Sequence, residues 1–266
     1  MSLLLRNITR TAKNSTETTL ETKEANSDTL AFALLTTDAF YIGSRDKFAA
    51  RYFHLSTLNT NTGTLAVTYW NGTSFAAVTD LVDQTKHFTR NGFLSWVNAT
   101  DWQKSEITGV DEELYWIRVK VSTNLSAGTI LQAVLNLFCD DTLVKKYYPD
   151  LINDTRYLPD SRTDFLEQYE AARDLVALRL KQDKIIDDIS QIIDPNEVCV
   201  AAVHAFAHIL LQPITNPEED TRARDSERAM NHELNRVRLS LDLDKSGIIE
   251  DTERNYADVF IPRGGF

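Results

Sequence analysis

Glycine and proline are segregated along this chain. All six prolines (Pro149, Pro159, Pro195, Pro213, Pro217 and Pro262) lie from position 149 onward, whereas six of the nine glycines fall between Gly43 and Gly128. Glycine supplies the positive-φ positions of tight hairpin turns, while proline opens helices in their first turn and stops them. The first part of the chain is therefore expected to be built from strands and the rest from helices, with the join near Leu143–Pro149. At roughly 100–200 residues per domain, the length fits one large domain or two modest ones. The segregation favours two.

The strand reading rests on short apolar runs between Gly and Asn turns. Residues 1–28 are polar and Thr-rich, an arm or an edge strand. After them come Thr29–Leu35, Lys47–Leu55, Thr64–Trp70, Phe75–Val78, Gly92–Val97, Tyr115–Ser122 and Thr129–Phe138. Asn71-Gly72 reads as a tight hairpin turn. The run from Tyr115 alternates, with Trp116, Arg118 and Lys120 on one side and Tyr115, Ile117, Val119 and Val121 on the other. This spacing predicts an all-β sandwich, jelly-roll-like, over 29–145. All four tryptophans (Trp70, Trp96, Trp102, Trp116) fall in it. They read as fillers of a two-sheet core, with a sugar-stacking platform as the alternative.

From about 146 the period becomes helical, and a helical bundle is expected over 146–255. Phe165, Tyr169, Ala172, Val176 and Leu180 make a stripe after a capping box at Ser161–Asp164. Asp194-Pro195 opens a helix, Val198–Leu211, that is apolar almost all round and should be the buried one. Asn216-Pro217 opens another, with Ala223, Met230, Leu234, Val237 and Leu241 inward and Arg222, Arg224, Arg228 and Arg236 outward. The fold class expected is α+β and multidomain.

The charge excludes one class of function. With 28 basic and 39 acidic residues the net charge is −11, which argues against a general nucleic-acid binder. No apolar run approaches the roughly 18 residues that span a bilayer, and Met1–Ile8 is too short in apolar residues for a signal-peptide core. Cys139 and Cys199 read as buried thiols of a protein made in a reducing cytosol. The six Asn-x-Ser/Thr sequons are read as a by-product of an Asn/Thr-rich surface.

One local motif suggests a metal. Asp242, Asp244 and Ser246 would offer side-chain oxygens, Ile248 its carbonyl, Glu250 a water-mediated contact and Glu253 a bidentate carboxylate, with Gly247 at the sharp turn. This is the pattern of an EF-hand-like calcium loop. A structural calcium is expected there, against the alternative of an acidic helix end with Gly247 as its cap. His204 and His208 share a helix face at i, i+4, but Ala205 stands where a zinc-protease motif needs Glu, and packed histidines are expected. No phosphate loop, nucleophile elbow or acid–base constellation occurs, so the chain is not expected to be an enzyme.

Two resemblances bear on function. Tyr41-Ile-Gly-Ser, Tyr69-Trp-Asn-Gly-Thr-Ser-Phe, Phe88-Thr-Arg-Asn-Gly, Trp102 with Gly109, and Tyr115-Trp-Ile-Arg-Val-Lys-Val resemble a jelly-roll module recurrent in virion proteins of tailed phages. The helix pattern from about 144, with Ala229-Met-Asn-His-Glu-Leu-Asn-Arg-Val237 and the acidic turn after it, resembles the head–tail connector (adaptor) proteins of phage necks. The resemblance implies a homo-oligomeric ring, a dodecamer, between the portal protein and the downstream neck and tail proteins. DNA would pass through it without specific binding. The chain would be assembled in the host cytoplasm, reside in the virion neck, and contact no membrane. Residues 256–266 would form an extended docking tail, with Val259, Phe260, Ile261 and Phe266 as its apolar anchors. The alternative is a carbohydrate- or partner-binding jelly roll on a helical oligomerisation stem, as in a baseplate or adhesin component.

Overall fold

The computed structural model describes residues 9–19, 29–158, 164–192, 194–213 and 216–236. Two compact units emerge, with the boundary between Asn136 and Leu137. This lies ahead of the 145/146 join expected from composition. The first helix of the second unit begins at Asp141, eight residues before the first proline, so proline marks the later helices of this unit and not its onset.

The first unit holds twelve strands among the described residues, all antiparallel where paired. They are β1 (Arg10–Lys13), β2 (Thr16–Glu17), β3 (Leu30–Ala31), β4 (Phe40–Ser44), β5 (Ala50–Thr57) and β6 (Leu65–Trp70). β7 (Phe75–Ala77), β8 (Thr79–Asp83), β9 (Gly92–Val97), β10 (Lys104–Ile107), β11 (Val110–Val121) and β12 (Ile130–Leu135) follow. One sheet runs β2-β1-β4-β11-β6-β7, with β10 also on β11, and the other runs β3-β12-β5-β9-β8. From β4 onward the chain changes sheet after β4, β5, β7, β9 and β11.

The two sheets share one core. Phe40 and Ile42, Val67, and Ile117, Val119 and Val121 come from the first sheet; Phe53 and Leu55, Leu94 and Trp96, and Leu131 and Val134 come from the second. Strand alternation explains most of these spacings. In β12 the register shifts between Leu131 and Ala133, so Leu131 and Val134, three apart, both reach the core. Phe32, Phe40, Phe53 and Phe88 pack edge-on or tilted through its centre, at ring separations of 4.9–6.3 Å. Thr29–Leu35 is mostly loop, although Phe32 and Leu34 are buried as expected of an apolar run. The Asn71-Gly72 turn differs in detail from the tight two-residue form. The loop has four residues, Gly72 takes φ +94°, and the Asn71 side chain accepts from the amides of Thr73 and Ser74.

The second unit is helical: α1 (Asp141–Tyr147), α2 (Pro149–Asn153), α3 (Leu166–Gln182), α4 (Cys199–Leu211) and α5 (Pro217–Leu234). Phe165, Tyr169, Ala172, Val176 and Leu180 are all buried. Tyr169 stacks on Phe206 of α4 at 4.7 Å, and α4, the most apolar helix, lies between α3 and α5. Asp194 caps a short 3-10 turn, Pro195–Glu197, and α4 starts just beyond it. Asn216 caps α5 through the Glu218 amide, with Pro217 in the first turn as expected. Arg222 does not belong to a solvated outer face. It is half-buried and bonds to Asp150, Glu219 and the Tyr157 hydroxyl. Cys139 is buried and Cys199 half-buried, both as free thiols, and burial raises the pKa of each. Among the described residues, no helix is long and apolar enough to cross a membrane.

Candidate functional site

The site-bearing strand is β11. Its inner residues Ile117, Val119 and Val121 enter the inter-sheet core, so Trp116, Arg118 and Lys120 lie on the opposite face of the sheet. Trp116 is covered there by Ala12, Val110 and Leu114. Arg118 and Lys120, one and two steps further along, line a cleft of about 270 Å³.

Two turns and one strand wall this cleft. The β1–β2 turn contributes Asn14 and Ser15, the β10–β11 turn contributes Thr108, and Thr37, Ala39 and Tyr41 come from the approach to β4 and from β4 itself. The turns meet at Gly109. Its φ is +91°, and a Cβ there would stand 2.1 Å from the Ser15 carbonyl oxygen, so only glycine fits. Asn14 locks the other side: its amide donates to the Ala39 carbonyl, and its side chain accepts from the Ala39 amide and donates to Asp38. The Asp38 carboxylate is thereby engaged. The bond from the Leu35 amide outweighs partial burial and, with Asn14 and Lys13, lowers its pKa.

Arg118 is held in place. Its Nε donates to Thr68 Oγ1 at 3.1 Å, and its guanidinium carbon sits 4.3 Å from the centre of the Phe75 ring. Phe75 in turn lies 5.8 Å from the ring of Tyr41, which faces Arg118 across the β4–β11 ladder. The terminal nitrogens of Arg118 are left over, and neither Arg118 nor Lys120 has a carboxylate partner among the described residues. Ser15, Thr37, Tyr41 and Thr108 bring four hydroxyl groups to the lining. A fixed guanidinium, a second cation two residues away and hydroxyl donors make an anion-receptive surface.

Asp242, Asp244, Ser246, Ile248, Glu250 and Glu253, and the tail residues Val259, Phe260, Ile261 and Phe266, lie outside the described residues. His204 and His208 each have a partner of their own. His208 Nδ1 donates to the Ala223 carbonyl at 3.0 Å, and His204 Nδ1 lies 2.7 Å from the Tyr148 hydroxyl. That hydroxyl is also 3.3 Å from Ser226 Oγ, so the pair ties α4 to α5 and to the α1–α2 junction. Three of the four tryptophans are core residues, with Trp96, Trp102 and Trp116 at 5%, 3% and 0% exposure. Trp70 alone is half-buried, with its ring 5.3 Å from Phe75.

The alternation along Tyr115–Val121 puts Arg118 and Lys120 on one face, but no local motif marks them as a site. The available signal is two cations at i, i+2 in the otherwise apolar stretch Leu114–Val121 of an acidic chain. No protein-family model matches this chain, and no curated protein matches it.

Proposed function

We propose that this chain is a structural virion protein of a tailed-phage neck, forming a dodecameric ring that joins the portal and head to the tail. In this reading the β unit is a jelly-roll-like decoration domain, the helical unit is the connector domain, and 256–266 docks on a neighbour. The observation that supports it most is where the aromatics go. Trp96, Trp102 and Trp116 are spent on packing, as in a scaffold, and not displayed as a platform. The salt-bridged helix α5, with Arg224 on Asp220 and Arg228 on Asp225, fits a solvated surface that needs no catalytic group. DNA would slide past an acidic wall, and the Asp242–Glu253 loop would hold a structural calcium. The test is electron microscopy of the purified chain and its location in intact particles. A monomer at every concentration, absent from the neck, would sink the reading. A chain lacking 258–266 should fold but fail to assemble, and Asp242→Ala should abolish calcium uptake in calorimetry.

A second reading is favoured by the cleft: the β unit as a recognition module carried on a helical oligomerisation stem. Binding on a glycan array, lost on substitution in the first sheet's outer face, would select it.

A further inference from the structure

We propose that the cleft between the β1–β2 and β10–β11 turns binds an acidic sugar unit, a hydroxyl-rich ring bearing a carboxylate. The inference rests on the recognition-module reading and adds the site, the residues and the ligand class.

The charge comes first. In a chain of net charge −11, Arg118 and Lys120 sit side by side on one strand face with no carboxylate partner among the described residues. Residues two apart on a strand are about 7 Å apart, a span that lets both cations reach the carboxylate and ring oxygens of one monosaccharide. Arg118 is the better anchor. Its Nε is committed to Thr68 and its plane is supported by Phe75, so the terminal nitrogens remain as a preorganised fork for a planar carboxylate.

The lining supplies the rest. Ser15, Thr37, Tyr41 and Thr108 offer hydroxyls that make no hydrogen bond within the described residues, while Ala39 and Ile107 add a small apolar patch. A sugar ring presents the same mixture of hydroxyl edges and apolar C–H faces. The volume, about 270 Å³, admits one monosaccharide and excludes a longer chain from full burial. Asp38, next to the lining residues Thr37 and Ala39, is tied to the Leu35 amide and to Asn14, so its carboxylate is already engaged. The walls are rigid for their size, because Gly109 and Asn14 lock the two turns to their neighbours.

The test is titration of the full chain with sodium D-glucuronate, D-glucose and inorganic phosphate, followed by calorimetry and saturation-transfer NMR. Glucuronate is expected to bind at least tenfold more tightly than glucose or phosphate. Arg118→Gln and Lys120→Gln should each weaken it tenfold or more with an unchanged melting temperature. If Arg118→Gln unfolds the β unit, Lys120→Gln, whose side chain makes no bond within the described residues, carries the test alone. Equal binding of glucose and glucuronate, or of phosphate and glucuronate, would overturn the acidic-sugar assignment. Glucuronate binding indifferent to both substitutions would overturn the site. Array binding to neutral glycans that ignores Arg118 and Lys120 would refute this inference while leaving the recognition-module reading standing.

Discussion

Gly43 of β4 faces Trp116 of β11 directly across the ladder, and the indole occupies the space a side chain at 43 would need. A Cβ at Gly43 would come within 2.6 Å of Trp116 Cζ3. With Ala12, Val110 and Leu114, this close approach leaves Trp116 fully buried on the outer face of the first sheet. Gly43→Ala is expected to destabilise the β unit by about 1–3 kcal/mol, the range for overpacking a well-filled site. Urea denaturation followed by tryptophan fluorescence measures it, and an unchanged midpoint would show that the indole can move at no cost.

Trp116 and Trp102 are both buried but are bonded differently. Trp116 Nε1 donates to the Ser105 carbonyl at 2.8 Å, whereas Trp102 Nε1 is buried with no acceptor among the described residues. Replacing Trp116 by Phe removes packing and also a hydrogen bond to the Ser105 carbonyl, while replacing Trp102 by Phe removes packing but relieves an unsatisfied donor, worth about 1–3 kcal/mol. Trp116→Phe should therefore be the more destabilising change. The reverse order in chemical denaturation would contradict the bonding seen here.

The two tryptophans also show what the sequence could carry. Their role as core fillers was legible, because seven apolar runs at strand spacing leave few other places for such large side chains. So were Phe165 through Leu180 and the Pro-marked starts of α4 and α5, where local periodicity and capping chemistry act within a few residues. β4, β8 and β10 were harder to read. They are short, and β8 and β10 carry alternating polar residues, so their place depends on partners far along the chain. The cleft was hidden for the same reason: Gly109 meets Ser15 across 94 positions, an approach no window of sequence contains.

Lys86, His87 and Phe88 form a run of three residues with φ between +50° and +62°. Each costs roughly 1–2 kcal/mol for an L-residue. The run is held by Asp83, which accepts from Thr85 Oγ1 and the His87 amide, and by Asn59, which donates to the His87 carbonyl and through its backbone to the Phe88 carbonyl. The return is a fully buried Phe88 ring. Lys86 is exposed, so Lys86→Gly should relieve strain with little lost packing and raise stability by about 0.5–1 kcal/mol. A lower melting temperature would mean that the left-handed conformation is not strained at this position.

His204 gives the helical unit a pH dependence of known sign. Burial between the α1–α2 junction and α5 disfavours the imidazolium and holds its pKa below the ordinary value, and the carboxylate of Glu233 offsets this only in part. In the unfolded chain the same imidazole takes up its proton near pH 6.5. Above that value neither state is protonated at this residue, and its contribution to stability is fully present. As the pH falls below it, the unfolded state binds a proton that the folded state still resists, so stability declines until the depressed folded pKa is passed. The His204→Gln variant cannot titrate at this position. Far-UV circular dichroism melts in urea between about pH 8 and pH 5 should show the parent losing stability faster than the variant as acid is added, with the two profiles parallel at the alkaline end. Profiles that stay parallel throughout would mean that His204 is protonated equally readily in both states, and would contradict its burial against Tyr148.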